Sequence, residues 1–203
     1  MTDFSLQQLV LRLVAYLFIV GVHGLAVAAT AVVLGDAGPR HDGRLRLNPL
    51  AHLDLLGTAA GVLFSVGWIR PIAVDPAALR TGRAGLLAVM AAGAAASLAG
   101  VIALRALRPL ILPMLPDTRS ADLFALVETI GELSLWFVLF NMLPLPPLTG
   151  AHWLHAIAPG WRKAIHRWEP YASVGLAVLA ASGAFAQLLG PAYRMLAAAV
   201  LGT

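Results

Sequence analysis

The chain has 203 residues, 60% hydrophobic and only 12% charged, whereas soluble domains average about 25% charged residues, so it reads as an integral membrane protein forming a single domain over 1–203. It contains no cysteine, which excludes disulfides and thiolate metal sites. The net charge of +4 comes from cations scattered over several loops with no basic cluster interleaved with aromatics, which argues against nucleic acid as a partner.

The opening stretch, M-T-D-F-S-L-Q-Q, lacks a basic region, and the apolar run behind it is too long for a signal-peptide core. It is expected to stay as a membrane span over about 9–34, with Arg12 snorkelling at its start. Gly35-Asp36 ends it. In the polar segment that follows, the alternation R-L-R-L suits a short strand, so a β-hairpin or re-entrant segment is expected near 40–50. A second apolar run, 50–68, contains His52 and Asp54 and is short enough to be re-entrant. The prolines of G-W-I-R-P-I-A-V-D-P then forbid regular helix.

The third run, 84–107, is rich in alanine and glycine, which lets helix backbones approach closely in lipid. A loop marked by Pro109, Pro113 and Pro116 separates it from the fourth run, 121–143. After an amphipathic connector over 151–169, whose Trp153, Trp161 and Trp168 suit a membrane interface, the last apolar region covers 171–201 and is expected to break at Pro191. The expected architecture is an all-α bundle of about five to six transmembrane helices, each needing about 20 residues to cross a bilayer. If 50–68 is re-entrant, the arginines of 35–83 and the cations of the connector share one side, which the positive-inside rule makes cytoplasmic.

The stretch Asn141 to Gly150, N-M-L-P-L-P-P-L-T-G, organises the rest. Its three prolines remove backbone donors where the fourth run ends, and irregular backbone at membrane depth is tolerated only where protein or a water-filled cavity lines it. Asn141, Pro144, Pro146, Pro147 and Thr149 are therefore candidates for contact with a partner's backbone.

This stretch resembles the third-ligand motif of the site-2 proteases, the intramembrane zinc metalloproteases, roughly N-x-x-P-x-P-P-L-D-G. Asn141, Pro144, Pro146, Pro147, Leu148 and Gly150 match, and Thr149 stands at the zinc-binding Asp. Gly43 to Asp54, including Asn48, Pro49 and His52, and Gly67 to Pro76, including Trp68 and Pro71, resemble further blocks of the small bacterial branch in the right order. The resemblance implies that these positions hold the fold by hydrogen bonds. It also implies a bacterial cytoplasmic (inner) membrane location.

The family's H-E-x-x-H places two histidines one turn apart on zinc, with the Glu as general base. Counting back from Gly35 puts that motif at His23-Gly24-Leu25-Ala26-Val27. The base position is Gly24, the second ligand position is Val27, and the third is Thr149. The family's A-G-P-x-x-N reads Ala92-Gly93-Ala94-Ala95-Ala96-Ser97. A zinc site needs three protein ligands plus an open position, so the resemblance implies a degenerate member with its catalytic motifs lost. Such a chain is expected to hold no cofactor and to bind, as a scaffold or accessory subunit in the bilayer, a membrane protein partner or a larger membrane complex.

Two alternatives stay open. His23 with His152 and His155, spaced i, i+3, could hold zinc in a rearranged peptidase; otherwise His23 is a hydrogen-bonded relic and the other two are interface residues. Glu128 and Glu132, one turn apart on the fourth run, could serve proton handling in a small transporter, or instead meet water or structural partners.

Overall fold

The computed structural model describes residues 5–202 except 159 and 161, with no side-chain description for 162–164 and 166. The expected Trp161 contribution to an interfacial belt lies outside the described residues. Among the described residues eight α-helices follow one another: α1 (Leu6–Val33), α2 (Gly38–His41), α3 (Leu55–Phe64), α4 (Ala84–Ile111), α5 (Asp117–Asn141), α6 (Ala151–Ile157), α7 (Arg162–Ala181) and α8 (Ala184–Val200).

Among the described residues, three helices are long and apolar enough to cross a membrane, namely α1, α4 with the short 3-10 turn after it, and α5. The α7–α8 pair makes a fourth if its 75° bend interrupts one span. The expectation of five to six spans is thus corrected to three or four. The reason is length: α3 has ten residues, about 15 Å at 1.5 Å per residue, half of the roughly 30 Å hydrocarbon core.

α1 opens with a capping box, in which the Ser5 hydroxyl accepts from the Gln8 N–H and the Gln8 side chain accepts from the Ser5 N–H. Its buried face carries Tyr16, Ile19, Val20, His23, Val27 and Ala31, the three-and-four spacing of one helical stripe. That face packs on Leu86, Val89 and Val101 of α4 and on Ile130, Leu133 and Phe137 of α5. Small residues allow the close approaches. A Cβ at Gly61 of α3 would lie 2.1 Å from the Tyr16 ring, and one at Gly57 would lie 2.4 Å from the Trp68 carbonyl oxygen. Arg12 then pins the end of α3, donating to the Val62 carbonyl and to Ser65 Oγ at 2.7 Å.

Several expectations meet corrections. The R-L-R-L stretch forms bends, and among the described residues no strand occurs; the only pairing outside helices is one isolated bridge, Leu53 with Ile69. Arg44 explains this locally, because its side chain turns inward and donates to the Ala51 and Pro71 carbonyls, which prevents alternation from setting the face. The helix also continues through Pro109 to Ile111. Pro191 lies inside α8, while the last apolar region breaks at Ser182-Gly183. There Gly183 sits at φ +76°, a left-handed conformation that glycine adopts without a steric penalty.

Replacing Gly61 by Val should destabilise the fold by about 1–3 kcal/mol, the usual cost of overpacking, measured by unfolding in detergent. A variant as stable as the parent would mean that the α1–α3 contact is looser than described.

Candidate functional site

The loop after α5 folds back on itself. The Asn141 amide donates to the Gly67 carbonyl at 2.8 Å and to Phe137 at 2.9 Å, and the Asn141 carbonyl accepts from the Gly150 N–H at 2.7 Å. The carbonyls of Leu143, Leu145, Leu148, Thr149 and Gly150 also accept backbone bonds within the loop or the start of α6. Gly150 is required for closure, since a Cβ there would come within 2.1 Å of the Leu143 oxygen. Pro146 and Pro147 are joined by a cis peptide. Asn141 is therefore a brace between the loop and Gly67, and Pro144 is exposed. Thr149 is turned inward and only 7% exposed.

Thr149 meets His23 in the middle of α1. His23 Nε2 lies 3.0 Å from Thr149 Oγ1, and His23 Nδ1 lies 3.3 Å from Ser97 Oγ on α4. The proton positions follow from the third bond of the set. Ser97 Oγ donates to the Gly93 carbonyl at 3.0 Å. A hydroxyl has one proton to give, so towards His23 the Ser97 oxygen accepts, and Nδ1 carries the ring proton. Nε2 is then the bare nitrogen, and Thr149 Oγ1–H donates to it. Phe137 closes the ring's edge at a centroid distance of 5.0 Å, and a Cβ at Gly93 would meet both His23 and Val27 at 2.7 Å.

The neighbouring motif positions are also filled. A Cβ on Gly24 would fall 2.3 Å from the His52 ring. His52 is fully buried, its Nε2 meets the Arg46 carbonyl at 3.1 Å, and its Nδ1 has no partner. Burial holds the His52 imidazole below its usual pKa. Asp54 caps α3 by accepting from the Gly57 N–H at 2.7 Å, and Asn48 caps its turn by accepting from Leu50 at 3.0 Å. Trp68 is completely buried with its carbonyl bonded to the Tyr16 hydroxyl, while the Pro71 carbonyl accepts from Arg44. In this structure Asn48, Pro49, His52, Asp54, Trp68 and Pro71 belong to the framework behind the site.

On its open side Thr149 lines a cavity of about 290 Å³, walled by the extended segment 69–74, Pro146, Pro147, Val27, Ala151 of α6 and Ile165 of α7. His152, His155, Arg70 and Glu169 also line it. The His152 and His155 rings stand 6.1 Å apart. His152 is 8% exposed, its Nδ1 has no partner, and burial pushes its pKa down to about 4, so it is neutral at neutral pH. Among the described residues, no group of three or more His, Asp or Glu side chains is placed to hold a metal ion, and His23, His152 and His155 do not form such a set.

Glu128 accepts from both Arg105 and Arg108, whereas Glu132 is exposed on the same helix. The two carboxylates therefore do not form one site. Trp153 and Trp168 are 41% and 62% exposed. Sequence reading compared Ser97 with a lost amide but missed that its hydroxyl fixes the tautomer of His23. The signal was available in principle: Gly93 and Ser97 are one turn apart and so share the face that meets α1.

Replacing Thr149 by Val keeps the shape but leaves Nε2 buried without a donor. The expected loss of stability is about 1–3 kcal/mol, read by unfolding in detergent, with T149S close to the parent. Equal stability of T149V would contradict the hydrogen-bond assignment.

No family model matches the chain, and no solved structure matches it significantly. A protein of Bacillus subtilis (strain 168) named "Putative zinc metalloprotease YwhC" is 32% identical over 168 residues, covering 77% of this chain and 74% of that protein. The chain belongs to the site-2-protease-like family of that metalloprotease.

Proposed function

We propose that this chain is a family member that binds and holds a membrane protein partner, or serves as an accessory subunit of a larger membrane complex, without zinc-dependent cleavage. The observation that carries this reading is the Thr149–His23 hydrogen bond. It joins two of the family's three zinc-ligand positions to each other, and the third is the Val27 side chain. The residues present do not fit the metal. Zinc takes imidazole, thiolate or carboxylate ligands, three of them in a catalytic site, and here one imidazole stands with a hydroxyl and an isopropyl group.

Perturbing even a residue behind a metal ligand typically costs 10–100-fold in affinity or activity, so exchanging two ligands removes far more. The general-base position adds to this. Gly24 leaves no carboxylate to activate water, a step worth about 10²–10⁴-fold, and the His52 ring fills the space beside it.

The binding face in this reading is the cavity beside Thr149, with Pro146 and Pro147 on one side and the extended segment 69–74 on the other. The Asn141–Gly150 carbonyls, expected from sequence to pair with a partner, are mostly engaged within the loop. By contrast, no backbone hydrogen bond joins Ile72, Ala73 or Val74 to another described residue. A locally unwound segment of a partner would add there as a strand, with main-chain bonds supplying affinity. The family relationship supports an inner-membrane setting for the same role.

The test uses the full chain in mild detergent and a fluorescently labelled transmembrane peptide with a helix-breaking centre. Saturable binding is expected by anisotropy, unchanged by a zinc chelator, with the peptide intact by mass spectrometry. Cleavage that stops on chelation would overturn the proposal, and so would absence of binding to any of a panel of such peptides.

A further inference from the structure

The hydrogen bonds around His23 have a chemical consequence beyond partner binding. The ring proton is committed to Ser97, and the bare Nε2 faces the Thr149 hydroxyl at 3.0 Å. A hydroxyl donating to an imidazole that is oriented by a third group is the arrangement of an activated oxygen nucleophile. Thr149 is also the one member of this set that lines the cavity, so its oxygen lone pairs have a route to a bound molecule while His23 does not.

We infer that Thr149 is a nucleophile for metal-independent acyl transfer, with His23 as its general base and Ser97 as a positioning residue. Thr149 Oγ1 forms a bond to the carbonyl carbon of an ester or thioester as its proton passes to His23 Nε2. The tetrahedral adduct then collapses, the bond from the carbonyl carbon to the leaving oxygen or sulfur breaks, and the Nε2 proton goes to that leaving group. The products are an alcohol or thiol and O-acyl-Thr149. Attack of water on this ester, its proton again routed through Nε2, releases the carboxylic acid and restores the hydroxyl.

The acyl class follows from the cavity walls. Val27, Ile69, Ile72, Val74 and Ile165 suit an alkyl chain, and burial of that chain supplies the attraction. Among the described residues the Thr149 main-chain N–H has no hydrogen-bond partner. The N–H of the nucleophile itself is a recurrent donor to the oxyanion in hydroxyl-based acyl transfer.

The test treats the full chain in mild detergent with an alkyl fluorophosphonate and, separately, with p-nitrophenyl octanoate. One adduct per chain is expected on the peptide containing Thr149, with a matching burst of p-nitrophenol. T149V should give no adduct. T149S, which keeps the hydrogen bond with a less hindered oxygen, should react at least as fast as the parent. H23Q should slow the reaction by about 10²-fold or more. Absence of an adduct on Thr149 in the parent overturns the inference, even if T149S reacts, and so does equal labelling of T149V.

Discussion

The structure depends on keeping one imidazole satisfied in the middle of a membrane bundle. His23 is 1% exposed, and a buried polar side chain without partners costs free energy that lipid does not return. Its two nitrogens are matched by hydroxyls from two different places, Ser97 on α4 and Thr149 on the loop after α5. The result is a clamp: α1, α4 and the proline-rich loop meet at one ring, and the order of donors is forced by the Ser97 bond to Gly93. A carboxylate or a second imidazole at these positions would have organised the same space around a cation. Hydroxyls organise it around neutral hydrogen bonds.

The parts of the framework behind the clamp are mutually dependent. Asn141 ties the loop to Gly67, Tyr16 ties α1 to the Trp68 carbonyl, and Arg44 ties 44–51 to Pro71. Asp36 accepts from the Gly38 and Asp75 N–H groups. Each bond satisfies a backbone group in an irregular segment, which is what allows non-helical chain to exist at membrane depth. The chemistry lives in the few side chains pointing into this scaffold, and these can change while the scaffold stands.

Much of this was legible in the sequence, and the misses share a cause. The long apolar runs became α1, α4 and α5 because length and composition suffice for them. The unwinding after Asn141 followed from three prolines. The R-L-R-L strand failed because Arg44 faces inward to reach two carbonyls, a contact that alternation alone does not reveal. The break assigned to Pro191 fell at Gly183, since a helix in lipid tolerates proline whereas a left-handed residue ends it. At the site, the unmatched motif positions were legible as identities. The pairing of His23 with Ser97 and Thr149, 74 and 126 positions away, was not, because it depends on helix packing that no local pattern encodes. The His52 ring beside Gly24 was hidden for the same reason.

The measurement that bears most directly on the account is zinc content of the purified chain in mild detergent, by elemental analysis against protein concentration. Metal affinity tracks the number and type of deprotonated ligands, and a hydroxyl and an isopropyl group supply none. The account predicts zinc at a small fraction of the chain concentration, unchanged by H23A. Zinc at one per chain that is lost on H23A would contradict it.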